Sequence, residues 1–150
     1  MILVDANVAI ALCSHEPGRA PVVAAALSSY AQQGRHAYAP AVIAAEALYV
    51  LCRKRAEGVL TPHEHARAVA ALQAFLSALT APPVSDLALA ARADALRGAY
   101  GCSRSADGLY LALAEFLAQG APVDLITFDV DLARQAEAMP DHVNPVLLHP

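Results

Sequence analysis

The sequence predicts an α/β protein, a helix-rich α/β/α sandwich built on a short parallel sheet. Short apolar segments, such as ILVD at 2–5 and PVDLITFD at 122–129, alternate with longer segments of helical periodicity. This alternation implies parallel strands that helices cover on both faces. Hydrophobic residues make up 57% of the chain and aromatic residues only 5%, which favours many closely packed helices. The 150 residues suit one domain spanning 1–150.

Residues that begin or end helices divide the chain further. Thr61, Pro62 and Glu64 have the spacing of a capping box with proline at the first helical position, so a helix is predicted to start there. APPVSD at 81–86 is interpreted as a short edge strand, because proline occurs in sheets only at margins or strand starts. The other predicted elements are a strand at 36–40, helices ending near Ser14, Gly34 and Gly58, helices at 86–101 and 103–120, a short helix after 129 and a strand at 144–149.

Composition argues against several classes of protein. No apolar run reaches the roughly 18 residues needed to cross a bilayer. The amino-terminal segment carries Asp5 within its apolar run, unlike a signal peptide. The three cysteines are scattered without a CxxC pair, which argues against a zinc site or a disulfide framework. We therefore expect a soluble cytoplasmic protein.

The charge balance leaves nucleic acid open as a partner. A formal net charge of −4 argues against nucleic acid at first sight. Bound metal would neutralise a group of five acids, however. When those five negative charges are set aside, the formal net charge of the chain is +1. The five acids are Asp5, Glu46, Asp107, Asp129 and Asp131.

Two of these acids follow predicted strands. Asp5 ends the strand ILVD and Asp129 ends the strand LITFD. Parallel strands would place both carboxylates at the same edge of the sheet, where the sites of α/β proteins lie. Asp is also common where turns begin, and this simpler explanation suffices for either acid alone.

Two further acids lie on predicted helices beside apolar stripes. Glu46 interrupts an apolar helix on or beside the face that should pack on the sheet. Asp107 begins a stripe that continues through Tyr110, with Ser103 or Ser105 expected to cap the helix. Glu46 is otherwise explained as a border residue that reaches water. Asp107 is otherwise a first-turn acid, stabilised by the helix dipole by typically ~0.3–1 kcal/mol.

Together the four acids predict a metal site. Gathered at a dry edge of the sheet, they would repel one another strongly, and a divalent cation relieves that repulsion. Ligands that are all oxygen suit Mg²⁺ or Mn²⁺. Such a site positions water and stabilises the charge on a phosphodiester undergoing in-line attack.

Four segments, ILVDANV, VIAAEAL, SADGLYLALAE and ITFDVDL, resemble the PIN-domain ribonucleases, and especially the VapC-type toxins of prokaryotic toxin–antitoxin pairs. The likeness covers essentially the whole chain and implies a PIN-like fold. Matched by motif, it implies that the catalytic, metal-binding acids are Asp5, Glu46, Asp107 and Asp129.

The resemblance also implies supporting residues. Asn7 fits the small polar position two residues after the first acid, and Thr127 fits the hydroxyl of the T-x-D motif. Both would orient a carboxylate or metal-bound water, and Asp131 is grouped with them. Gly108 stands where the family more usually has Ala, at a cost of ~1 kcal/mol of helix propensity.

The activity that the resemblance implies is Mg²⁺- or Mn²⁺-dependent cleavage of single-stranded or loop RNA, leaving a 5′-phosphate and a 3′-hydroxyl. Arg53, Lys54, Arg55 and Arg104 either guide the RNA backbone or belong to solvated helix ends. The expected partners are RNA, a cognate VapB-like antitoxin and a second copy of the chain in a homodimer, with no membrane.

Other interpretations also use an acid-rimmed parallel sheet. A haloacid-dehalogenase-type phosphatase would have D-x-D after its first strand. Here the segment DAN at 5–7 has the amide Asn7 where the second Asp should be. A receiver-like phosphoacceptor domain would need a second acid near the first and a late Lys, and the final third of the chain has no Lys. A catalytically silent PIN fold that binds RNA or protein is the main alternative.

Overall fold

The computed structural model describes residues 1–100, 106–139 and 142–150, except for the side chains of 99 and 100. In chain order the elements are β1 (Ile2–Val4), α1 (Ala6–Cys13), α2 (Arg19–Gln32), β2 (Ala37–Tyr38), α3 (Ile43–Ala56), α4 (Pro62–Ala78), α5 (Asp86–Tyr100), α6 (Asp107–Ala118), β3 (Val123–Thr127), α7 (Val130–Glu137) and β4 (Val143–Leu147). The strands pair in parallel in the order β2-β1-β3-β4.

Side chains of the central strands alternate between two apolar layers, as the two-residue period of a strand requires. Leu3 and Leu125 belong to the larger layer, with residues of α3, α4, α5 and α6. Ile2, Val4 and Ile126 belong to the smaller layer, with residues of α1 and α2. Helices therefore cover both faces of the sheet, which confirms the predicted α/β/α sandwich.

Arg35 joins the amino ends of the two central strands. Its guanidinium donates to the carboxylate of Asp124 in β3 and to the carbonyl of Met1, which precedes β1. It also lies over the ring of Tyr30, 4.8 Å from the ring centroid. Asn144 of β4 donates to the same Asp124 carboxylate at 3.2 Å. These contacts brace the end of the sheet that is opposite to the predicted site.

The predicted edge strand at 81–86 is wrong. Residues 81–85 are irregular, and Asp86 begins α5. The two adjacent prolines of this segment have no N–H to donate to a neighbouring strand. The Asp86 carboxylate instead accepts the N–H groups of Ala41 at 3.0 Å and Val42 at 2.8 Å. Both N–H groups belong to the turn that leads into α3, a helix with no side-chain cap of its own. Asp86 therefore satisfies this turn from a distant part of the chain.

The predicted start of α4 is confirmed. The Thr61 hydroxyl accepts the N–H of Glu64 at 3.2 Å, and the Glu64 carboxylate accepts the N–H of Thr61 at 2.8 Å. These are the two reciprocal bonds of a capping box.

Gly34 and Gly58 follow α2 and α3 with φ angles of 68° and 74°, a left-handed conformation that stops a helix without strain only at glycine.

Gly108 allows α6 to pack closely on α5. A Cβ atom added at Gly108 would lie 2.9 Å from the carbonyl oxygen of Ala93 and 3.1 Å from the side chain of Arg97. Such a distance is too short for carbon and oxygen atoms that are not bonded. The close approach of α5 and α6 therefore requires glycine at this position, even though glycine is a weak helix former.

Gly108→Ala is expected to destabilise the protein by about 1–2 kcal/mol, because overpacking typically costs ~1–3 kcal/mol and outweighs a helix-propensity gain of up to ~1 kcal/mol. Gly98→Ala on α5 is the matched control, since a Cβ there meets no described atom within 4 Å. The control should be neutral or more stable than wild type. Urea unfolding measures both variants, and a stabilised Gly108→Ala protein would show that α6 can move away from α5 without cost.

Candidate active site

Asp5 and Asp129 lie at the same edge of the sheet. β1 and β3 pair in parallel, with Val4 opposite Ile126. Asp5 follows β1 directly, and Asp129 follows β3 after Phe128. Each acid also caps the helix that comes next, so α1 and α7 both start at this edge.

Asp5 is a buried carboxylate at the start of α1. It accepts the N–H of Ala6 at 2.6 Å and the hydroxyl of Thr127 at 2.6 Å, and the residue is only 7% exposed. Burial, with a further contribution from the charges of Asp107 and Glu46, raises the pKa of Asp5 to about 7 in spite of both hydrogen bonds. Among the described residues, the charged groups that act on this carboxylate are acids, so they oppose its ionisation.

Thr127 organises the edge through its hydroxyl, which is fully buried. The Oγ1 atom donates to Asp5, accepts from the Asn7 side-chain amide at 3.1 Å and accepts from the Asp129 N–H at 2.8 Å. One donor and two acceptor positions are all that a hydroxyl offers, so its capacity is filled. The Asn7 carbonyl accepts the N–H of Phe128 at 3.1 Å. The ends of β1, β3 and α1 are thereby held together.

Asp129 and Asp131 face different surroundings. The Oδ1 atom of Asp129 accepts the N–H groups of Asp131 at 2.8 Å and Leu132 at 3.1 Å, which caps α7. The side chain of Asp131 is 74% exposed and forms an ion pair with Arg134 at 3.2 Å. Asp131 therefore contacts the site through its main chain, while its carboxylate lies towards solvent.

Glu46 lies beside the buried stripe of α3, which consists of Ile43, Ala47 and Leu51. Its Oε2 atom accepts the hydroxyl of Tyr110 at 3.0 Å. Partial burial raises the pKa of Glu46, and the bond from Tyr110 opposes that shift. The sequence analysis did not name Tyr110 as a site residue. The sequence feature that could have identified Tyr110 is its position in an apolar stripe, one turn after Asp107. A tyrosine buried in such a stripe needs a hydrogen-bond partner for its hydroxyl.

Asp107 is the first residue of α6 and is half-buried. Its charge contributes to the raised pKa of Asp5, so the two carboxylates interact across the site. The helix begins after Ala106, which provides no side-chain cap. Ser103 and Ser105, which were expected to cap this helix, lie outside the described residues.

The acids are near one another without forming a ready-made ligand set. Among the described residues, no three His, Cys, Asp or Glu side chains are placed so that they would hold one metal ion. The charges of Glu46 and Asp107 nevertheless repel the charge of Asp5. The Thr127 hydroxyl bridges the Asp5 carboxylate and the N–H of Asp129 by hydrogen bonds. The donor atoms are all oxygen, which fits Mg²⁺ or Mn²⁺.

The basic residues predicted to guide RNA are placed in different ways. Lys54 donates to the Glu16 carboxylate and to the Ser14 hydroxyl, the latter at 3.2 Å. Arg53 forms an exposed ion pair with Glu57 at 3.0 Å. Arg55 is exposed near the end of α3, and Arg104 lies outside the described residues. Lys54 is eight residues beyond Glu46, hence ~12 Å further along the helix axis.

Arg19 is a basic residue at this edge that sequence analysis did not identify. Its guanidinium lies over the ring of Phe128, 4.8 Å from the centroid, and 3.5 Å from a carboxylate oxygen of Glu16. Phe128 is next to both Thr127 and Asp129 in the chain. Nothing in the local sequence distinguishes Arg19, because its contact with Phe128 joins two parts of the chain that are far apart in sequence.

Comparison with known proteins identifies the family. The family model described as PIN domain matches residues 2–138, which include β1, α7 and all four acids between them. The chain belongs to the PIN domain family. No curated protein matches this PIN domain closely enough to refine the assignment.

The PIN domain is a nuclease-type fold whose members usually hydrolyse nucleic acid and typically bind divalent metals. The match therefore supports a hydrolase in general and does not favour the haloacid-dehalogenase-type phosphatase. Within the part of this PIN domain that the structure describes, no helix is both long and apolar enough to span a membrane.

Proposed function

We propose that this PIN domain is a metal-dependent endoribonuclease and the toxin of a toxin–antitoxin pair. The observation that carries the proposal is the buried carboxylate of Asp5, which the charges of Glu46 and Asp107 repel. A charge so placed is costly unless a cation neutralises it. This edge of the fold is therefore suited to binding a cation.

The proposed ligands of Mg²⁺ or Mn²⁺ are Asp5, Glu46, Asp107 and Asp129. Among the described residues these acids do not form a ready-made cluster, so a cation would have to draw them closer against their mutual repulsion. A bound ion would neutralise this repulsion, lower the pKa of a bound water and stabilise the phosphodiester during in-line attack.

The residues around the ligands have orienting roles in this proposal. Thr127 fixes one oxygen of Asp5 and the backbone of Asp129. Asn7 fixes Thr127 and Phe128. Asp131 supports Asp129 through its backbone N–H. These bonds would keep the acids oriented while substrate is bound and released.

The RNA would lie across the carboxyl edge of the sheet. Arg53 and Arg55 are exposed on α3, and the ion pair of Arg53 with Glu57 is of the weak surface type that a phosphate can replace. Arg19 supplies a cation next to Phe128. Lys54 contributes chiefly by holding Glu16. These cations offset the negative charge of the acids on the approach to the site.

Cleavage of RNA by the purified protein tests the nuclease part of the proposal. Single-stranded RNA should be cut in Mg²⁺ or Mn²⁺ and left intact in excess chelator, with 5′-phosphate ends on the products. RNA binding without cleavage in either metal would favour the silent PIN fold. Full cleavage in chelator would overturn the metal mechanism.

The toxin part rests on the resemblance of the four acidic segments to VapC-type proteins. An antitoxin would cross the acidic edge, with an Arg or Lys of its tail pairing with the carboxylates. A homodimer is also expected. Expression of the chain alone should stop bacterial growth, and co-expression with the small protein encoded next to it should restore growth. Normal growth at high expression would contradict the toxin role.

A further inference from the structure

We infer that Tyr110 is a positioning residue, whose hydroxyl holds Glu46 in place as a metal ligand. This inference rests on the proposed function and adds a residue outside the four acids. Tyr110 is only 1% exposed, and its hydroxyl donates to the Oε2 atom of Glu46 at 3.0 Å. The bond joins α6 to α3, two elements that each contribute one acid to the site.

The orientation of Glu46 requires an explanation. Glu46 has a long side chain that is only half-buried, so several rotamers directed towards water are open to it. The negative charge of Asp5 nearby would favour those rotamers. The hydrogen bond from Tyr110 opposes this tendency because it attaches the carboxylate to a side chain that cannot move.

Tyr110 is itself held rigidly by its surroundings. Its ring belongs to the larger apolar layer, together with Leu111 and Leu113 of the same helix. The position of the phenol oxygen is therefore fixed by packing, as a supporting residue requires. The hydroxyl also interacts with the backbone of Ala6, next to Asp5. The hydroxyl is therefore the part of Tyr110 that is directed to the site.

Tyr110→Phe removes the hydroxyl and keeps the ring. We expect the Mn²⁺ midpoint, defined as the Kd obtained from the rise of the melting temperature with Mn²⁺ concentration, to increase about tenfold. Loss of a supporting partner typically costs 10–100-fold in metal affinity. The concentration of Mn²⁺ for half-maximal cleavage should rise by a similar factor, with the KM for RNA unchanged. A merely structural role would lower the melting temperature without moving either midpoint.

Tyr30→Phe is the matched control. The Tyr30 hydroxyl interacts with Asp124 at the opposite end of the sheet, so its loss changes the stability of the protein and not the site. Melts in chelator report whether each variant is folded before metal is added. The Mn²⁺ midpoint of Tyr30→Phe should equal that of wild type, and equal shifts in both variants would overturn the inference.

A double-mutant cycle with Glu46→Gln tests whether Tyr110 acts through Glu46. In protein that already carries Glu46→Gln, the further change Tyr110→Phe should not alter the Mn²⁺ midpoint. A full additional shift would overturn the inference. A wild-type protein that Mn²⁺ does not stabilise would contradict the proposed function. A normal wild-type response that Tyr110→Phe leaves unaltered would contradict only the role of Tyr110.

Discussion

Asp5→Asn is expected to reduce metal-dependent RNA cleavage by about a thousandfold or more, as removal of a central catalytic group typically does. Asparagine keeps the size of the side chain and is an equally good cap for α1. The substitution removes the negative charge that would bind the cation. The protein should therefore remain folded while its activity is lost.

The control for Asp5→Asn is the same chemical change at an exposed acid. Asp94 lies on the solvent-facing side of α5, so Asp94→Asn should leave cleavage unchanged. Initial rates of RNA cleavage at saturating Mn²⁺ compare the variants, and circular dichroism reports their folding. The same variants can be expressed in cells, where Asp5→Asn should be harmless. Cleavage by Asp5→Asn within tenfold of the wild-type rate would remove Asp5 from the mechanism.

In chelator, the wild-type protein is expected to lose stability as the pH rises from about 4 to about 7. The pKa of Asp5 is raised from 3.8 to about 7 in the folded protein. Between these values the native state holds a proton that the unfolded state has released, so raising the pH favours unfolding. The shift corresponds to as much as about 4 kcal/mol of unfolding free energy. Asp5→Asn should lack this part of the pH dependence.

Asp107→Asn distinguishes a site acid from an ordinary first-turn acid in the same melts. If the charge of Asp107 repels Asp5, its removal should lower the pKa of Asp5 and stabilise the protein in chelator at pH 8. Mn²⁺ at a hundredfold excess over Kd should stabilise wild type by about 2.7 kcal/mol and Asp107→Asn by much less. A variant that is destabilised in chelator, yet keeps the full Mn²⁺ response, would place Asp107 outside the site.

Two features that depend on neighbours in the sequence were predicted correctly. The capping box of Thr61 and Glu64 is confirmed because its hydrogen bonds close within one helical turn. The shared edge of Asp5 and Asp129 followed from strand periodicity, because alternating strands and helices require parallel pairing and parallel strands end at one edge. The sandwich itself was predictable for the same reason.

Features that depend on contacts between distant residues were decided only by the tertiary structure. Asp86 bonds to the turn before α3 in place of the predicted edge strand, Tyr110 bonds to Glu46, and Lys54 is held by Glu16. Each contact joins groups that are far apart in sequence, and no periodic pattern records which of them will meet. The sequence by itself determined the alternation of strands and helices, apart from the strand wrongly predicted at 81–86, and where the acids fall on them. Packing of the helices on the sheet determined which of those residues face one another, because buried polar groups must find partners wherever the fold brings them.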